Sequence, residues 1–304
     1  MHPYFTRCVT RPHSNVHVSP QRTTIGVRGE KTELITSIII LAITGIAVGL
    51  ASGLLGVGGC FIMVPVQFWV FQAMGVSPDI AILLAFGTNL LVVLPTVASS
   101  AVGHSKRGVV WWRAGIFLGI ASAVGAVIGA TIAAHLPAEV LTVSFGIVVL
   151  AGAIRMLTAN TPAITQEPKD RPLLWVACGF PIGIVSGTVG IGGGVLMIPV
   201  MVLLLKFRMH LAVGTSNAVM IATSIGGVIG YVVNGLGAEG LPAYSIGYVN
   251  LVSCLSLAVT SVPMAQVGVM AAHRLPAKGL KYLFITVMVY MGLKMVGVFG
   301  WLPI

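Results

Sequence analysis

The sequence predicts an all-α polytopic membrane protein folded as two inverted-topology repeats of about five apolar segments each, with glycine-broken helices, re-entrant or discontinuous, in both halves. Three observations predict it. First, 57% of the 304 residues are hydrophobic and only 8% are charged, with a mean hydropathy of +1.01, whereas soluble domains carry about a quarter charged residues. Second, Gly53-Leu-Leu-Gly56-Val-Gly58-Gly59-Cys60-Phe61-Ile-Met63-Val-Pro65 returns as Gly187-Thr-Val-Gly190-Ile-Gly192-Gly193-Gly194-Val195-Leu-Met197-Ile-Pro199. Third, the positions of the basic loops are exchanged between the two halves.

Residues 1–33 carry Arg7, Arg11, Arg22, Arg28 and Lys31 but no apolar run of their own. Without the hydrophobic stretch of about 7–15 residues that a cleaved signal needs, this segment reads as a disordered basic tail. Apolar segments then fall at 35–52, 60–74, 80–102, 109–134 and 138–158, and again at 173–187, 194–205, 211–233, 246–272 and 279–302. Spanning a bilayer takes roughly 20 residues. Most segments are long enough, and the short ones, 60–74, 173–187 and 194–205, flank the glycine strings. The first transmembrane repeat is 34–157, the linker 158–172 and the second repeat 173–304. Pro162, Glu167, Pro168, Lys169, Asp170 and Arg171 give the linker a loop composition.

The duplication continues beyond the glycines. Phe86-Gly87-Thr88-Asn89 answers Val213-Gly214-Thr215-Ser216, Leu136-Pro137-Ala138 answers Leu275-Pro276-Ala277, and Arg155 aligns with Lys294. Lys106 and Arg107 follow the third segment of the first half, while in the second half the bases follow the second and fourth segments, at Lys206, Arg208, Arg274, Lys278 and Lys281. Cytoplasmic loops collect Lys and Arg, so exchanged loops mean that the second half is upside down. An odd number of crossings per half produces that result. The same scheme places the basic tail outside, against its own charge preference.

Corresponding glycine breaks in two halves are the sequence pointer to a transporter's binding site. Non-helical backbone survives at membrane depth only where protein or a water-filled cavity satisfies it. A helix restarting after each string, at Phe61 and Val195, turns its free N–H groups and positive end toward the break, which suits an anion. The substrate-binding candidates are therefore Gly56, Gly58, Gly59, Cys60 and Phe61 in one half and Gly190, Gly192, Gly193, Gly194 and Val195 in the other. Thr88, Asn89, Thr215, Ser216 and Asn217 lie deep in apolar segments and offer hydrogen bonds either to anion oxygens or between helices. Cys60 stands where the second copy has Gly194. Gly119, Gly125, Gly129, Gly226 and Gly230 read as close helix packing.

Other chemistry is poorly supported. No Lys-Ser/Thr follows the glycines, as a phosphate loop requires. Cys8, Cys60, Cys178 and Cys254 have neither metal-ligand nor redox spacing. His104, His135, His210 and His273 sit at segment ends, where solvated histidines are expected, and the acids outside the tail lie in loops or at segment ends, so an intramembrane hydrolase lacks its acid and base. No enzyme activity, cofactor or metal is expected. The net charge of +10 is spread over loops, which is topology-setting charge and not a nucleic-acid face. Arg155 and Lys294 lie near helix ends, where they can snorkel. Arg113 beside Trp111 and Trp112 reads as an interfacial anchor.

The paired glycine strings with their trailing prolines, the Gly-Thr motif that follows each, and the duplicated layout resemble the TauE/SafE family of sulfite and organosulfur anion transporters. The likeness covers about residues 35–302. What the resemblance implies is transport, without ATP hydrolysis by the chain, of small sulfur oxyanions such as sulfite, thiosulfate or sulfoacetate across the cytoplasmic membrane. The expected partners are that anion and the lipid bilayer, and the oligomeric state stays open. A passive anion channel of the same architecture is the alternative reading.

Overall fold

Lipid offers the backbone no hydrogen-bond partners, so an apolar run that crosses it must satisfy its own N–H and C=O groups. In the computed structural model, which describes residues 21–55, 58–158, 170–271 and 277–298, the apolar runs are accordingly helices. The first half holds α1 (Gln21–Leu55), α2 (Cys60–Ala73), α3 (Pro78–Ser105), α4 (Trp112–Ala133) and α5 (Ala138–Thr158). The second holds α6 (Pro172–Val189), α7 (Gly194–Leu203), α8 (Met209–Gly235), α9 (Leu251–Ala271) and α10 (Ala277–Val296). Among the described residues, seven helices are long and apolar enough to cross a membrane: α1 over Thr36–Leu54, α3, α4, α5, α6, α8 and α9. Three apolar stretches are shorter, α2, α7 and Phe284–Val296 of α10.

Some boundaries differ from the sequence expectation. Helix α1 begins at Gln21, inside the stretch 1–33 expected to be disordered; Pro20 precedes it, and no proline interrupts 21–55, so the helix of the apolar run continues backward. Residues 1–20 and most of the linker, 159–169, lie outside the described residues. Helix α6, expected to be short, extends to Val189 and reaches spanning length. His104, expected among solvated histidines, is buried in the last turn of α3. The loop before α9 contains a small antiparallel hairpin, β1 (Ser245–Ile246) and β2 (Val249–Asn250), turning at Gly247 with φ 55°. Asn250 then caps α9, its Oδ1 accepting the Ser253 N–H at 2.9 Å.

Helix α4 shows how the bundle is sorted. Ile116, Ile120, Val124, Ile128 and Ile132, four apart, form an exposed apolar stripe, while Leu118, Ser122, Ala126 and Ala130 are buried. Bulk faces lipid and small side chains face protein, because lipid-bathed helices associate by close backbone approach and not by burying apolar area. The closest approaches are made by two glycine ladders. A Cβ built on Gly179, Gly183 or Gly187 of α6 would lie 2.7, 2.2 or 2.3 Å from the carbonyl oxygen of Leu118, Ser122 or Ala126 of α4. In the same way, a Cβ on Gly45, Gly49 or Gly53 of α1 would lie 2.7, 2.3 or 2.1 Å from the carbonyl oxygen of Leu257, Ser261 or Ala265 of α9. The first helix of each half thus packs in the same direction along the fourth helix of the other.

Helices α3 and α8, the third of each half, pack with each other in opposite directions. Phe86 meets Tyr231 edge-on with ring centroids 6.4 Å apart, and Leu90 lies 2.5 Å from where a Cβ on Gly227 would stand. Hydroxyl pairs repeat across the halves as well: Thr96 bonds Ser261 at 2.8 Å and Thr223 bonds Ser122 at 2.7 Å.

Candidate functional site

Each glycine string lies between two helices. Helix α1 ends at Leu55 and α2 begins at Cys60, with Gly58 and Gly59 at φ 73° and 67°. Helix α6 ends at Val189 and α7 begins at Gly194, with Gly190, Gly192 and Gly193 at φ 64°, 74° and 95°. That left-handed backbone costs an L side chain about 1–2 kcal/mol per residue, which glycine avoids. Gly56 lies outside the described residues.

After each turn the helix restarts in the same pattern. Ile62 and Met63 donate to Gly59 O at 3.2 and 3.4 Å, and Leu196 and Met197 donate to Gly193 O at 3.1 and 2.8 Å. The N–H groups before those donors belong to the open first turn of a helix, where the dipole's positive end also lies. Cys60 and Phe61 open α2, while Gly194 and Val195 open α7. The side chains of Cys60 and Phe61 are fully buried in an apolar cluster, with Phe61 edge-on to Phe284 at 6.1 Å.

The two turns meet at two side chains that the sequence reading did not single out. A Cβ on Gly58 would stand 2.5 Å from Met220 Cε and 3.6 Å from Val93 Cγ1; one on Gly192 would stand 3.4 and 3.3 Å from the same two atoms. Val93 and Met220 are both fully buried. A signal for them existed, since each lies five positions after the threonine of its Gly-Thr motif, but an apolar residue in an apolar helix draws no notice. Two serines also line the second turn. Ser224 Oγ is 3.6 Å from a Cβ position on Gly192, and Ser186 Oγ is 3.5 Å from one on Gly193.

The polar candidates on α3 and α8 occupy a neighbouring layer. Thr88 Oγ1 accepts the Asn250 N–H at 2.8 Å, and Thr215 Oγ1 accepts the Trp111 N–H at 3.0 Å. Each serves the start of the fourth helix of the opposite half and lies about 7.5 Å along its own helix from Val93 or Met220, at 1.5 Å per residue. Asn89 Nδ2 donates to Gly190 O at 2.5 Å, and Phe86, one turn before it, fills the space a Cβ on Gly190 would need. Together they fix the end of α6. Ser216 Oγ and Asn217 Nδ2 both donate to Val213 O, at 2.8 and 2.9 Å.

The cations Lys294 and Arg113 stand elsewhere. Lys294 Nζ lies 4.0 Å above the Trp69 ring, a cation–π contact, and Arg113 pairs with Asp170 at 2.9 Å on the exposed surface. Among the described residues, no group of three or more His, Cys, Asp or Glu is placed to hold a metal ion.

The family model described as Sulfite exporter TauE/SafE matches residues 41–295, which takes in both turns and both Gly-Thr helices. The chain belongs to the TauE/SafE family. It is similar to a "Probable membrane transporter protein" of Methanocaldococcus jannaschii, 31% identical over 264 residues that cover 86% of this chain and 97% of the relative. A Haemophilus influenzae protein of the same description is 26% identical over 86% of this chain and 99% of its own length. The Bacillus subtilis protein YunE, again a "Probable membrane transporter protein", is 30% identical over 66% of this chain and 80% of its own. No solved structure matches the chain. Family and helices together make this TauE/SafE chain a multi-pass membrane transport protein.

Proposed function

We propose that the protein is a secondary transporter of small sulfur oxyanions, sulfite, thiosulfate or an organosulfonate such as sulfoacetate, bound between the two glycine turns. One observation carries this reading: Gly58 and Gly192, on different halves, face the same Val93 and Met220. The open first turns of α2 and α7 are therefore neighbours. Each contributes roughly half a positive elementary charge and the N–H groups of a helix's first turn, which have no carbonyl partner within their own helix, and charge of that kind in a poorly hydrated place selects an anion rich in acceptor oxygens. The family's description as sulfite exporter supports sulfur as its central atom.

Transport by alternating access uses two halves of opposite direction that rock about a fixed site. The antiparallel packing of α3 against α8 and the matched glycine ladders of α1 on α9 and α6 on α4 support that inversion. The exchanged basic loops support it independently. Val93 and Met220, in contact with both turns, are then the side chains that must part as the site opens.

Counterflow in proteoliposomes tests the reading. Labelled sulfite entering vesicles preloaded with sulfite should saturate and should be faster than entry into empty vesicles. Flux without saturation or exchange would replace the carrier by a channel, and no flux of any sulfur oxyanion would overturn the substrate.

A further inference from the structure

The two turns have equivalent backbones but unequal side chains, and this inference rests on reading them as the anion site. Ser224 Oγ stands 3.6 Å from a Cβ position on Gly192; at the repeat-equivalent place Val97 Cγ1 stands 3.7 Å from one on Gly58. One half offers a hydroxyl where the other offers a methyl group. Ser186, beside Gly193, has a repeat counterpart in Ser52, whose Oγ is 3.5 Å from Ser100 Oγ. Gly227 stands at the position equivalent to Ser100, so Ser186 is left without that neighbour. Ser186 and Ser224 are 1% and 0% exposed, and neither hydroxyl oxygen has a hydrogen-bond partner among the described residues. Buried polar groups are ordinarily paired, and an unpaired one is a cost that a ligand removes.

We infer that the anion binds asymmetrically, with its oxygens held at the second turn by the hydroxyls of Ser186 and Ser224 together with the N–H groups opening α7. At the first turn those two places hold Val97 and a Ser52 already paired with Ser100. A hydroxyl donates one proton to a charged acceptor, and two hydroxyls beside a helix start form a three-sided cradle for the oxygens of a pyramidal or tetrahedral anion.

The test is sulfite binding to the purified full-length chain by calorimetry, with thermal unfolding as the control for folding. Ser224→Ala and Ser186→Ala should each raise Kd roughly ten-fold or more, since a hydrogen bond to a charged group contributes about 1.5–3 kcal/mol. Their unfolding midpoints should hold or rise, because each removes a buried unpaired group. Ser52→Ala, in the repeat-equivalent place, should leave Kd within about two-fold. If Ser186→Ala fails to fold, Ser224→Ala carries the test alone. Wild-type binding with unaltered affinity in the serine variants would overturn the asymmetric cradle and leave the anion site standing. No binding of sulfite, thiosulfate or sulfoacetate by the wild type would overturn both.

Discussion

Thr88 accepts the backbone N–H of Asn250, and Thr215 accepts that of Trp111, so each half uses one threonine to finish the fourth helix of the other. Both hydroxyls are fully buried. Replacing either by Val keeps the shape and strands an N–H, so Thr88→Val and Thr215→Val should each destabilise the protein by about 1–3 kcal/mol. Thermal unfolding in detergent without substrate measures this, and unchanged midpoints for both would remove the threonines' structural role.

Glycine substitutions should divide by where a new Cβ would go. In α4, Gly125→Ala places it 2.3 Å from the Phe180 carbonyl oxygen of α6, and backbone cannot yield as a flexible side chain can. That variant should lose folded protein, measured as the monodisperse fraction after purification. Gly192→Ala meets Val93, Met220 and Ser224 at 3.3–3.6 Å, with strain of about 1–2 kcal/mol from its φ. It should remain folded and stop transporting. A well-folded Gly125→Ala, or full transport by Gly192→Ala, would contradict this division.

Much of this was legible in the sequence. Gly58, Gly59, Gly192 and Gly193 announced turns because only glycine tolerates repeated left-handed backbone, and spacing placed them at matched points of two halves. Gly119 and Gly125 read as packing positions in the sequence, and the structure gives them helix neighbours at 3.1 and 2.3 Å from a built Cβ. What could not be read was what the turns touch. Val93 and Met220 are ordinary apolar residues of apolar helices, and Ser186 gains its place only once Gly193 folds back toward α6. Thr88 and Asn89 are adjacent in the chain yet serve different partners, Asn250 and Gly190, because successive helical residues point in directions about 100° apart. The burial of His104 at the end of α3 and the start of α1 at Gln21 are not legible in composition, because helix ends fray and their bounds are the least defined part of a helix.

Gln67 in α2 is fully buried with neither amide atom hydrogen-bonded among the described residues. Its repeat counterpart in α7 is Met201, also fully buried. Gln67→Met should therefore stabilise the protein by about 1–3 kcal/mol, by removing an unpaired amide from an apolar setting. A lower unfolding midpoint in this variant would show that the amide has a partner.

Inversion of the halves predicts that single cysteines at Ser105, the last residue of α3, and at Ala238, just after α8, face opposite sides of the membrane. An impermeant thiol reagent applied to a background lacking the native cysteines should reach one from outside and the other only after permeabilisation. Labelling of both from one side would refute the inversion.

The central claim is that two glycine turns form one site for a sulfur oxyanion, and equilibrium binding to wild type and Gly192→Ala tests it most directly. Sulfite, thiosulfate, sulfate, sulfoacetate and taurine would be titrated into purified protein. The account predicts that sulfite or sulfoacetate binds more tightly than taurine, whose ammonium group meets the same positive helix ends, and that Gly192→Ala loses this binding while staying folded. Taurine binding more tightly than the anions, or Gly192→Ala retaining wild-type affinity, would contradict it.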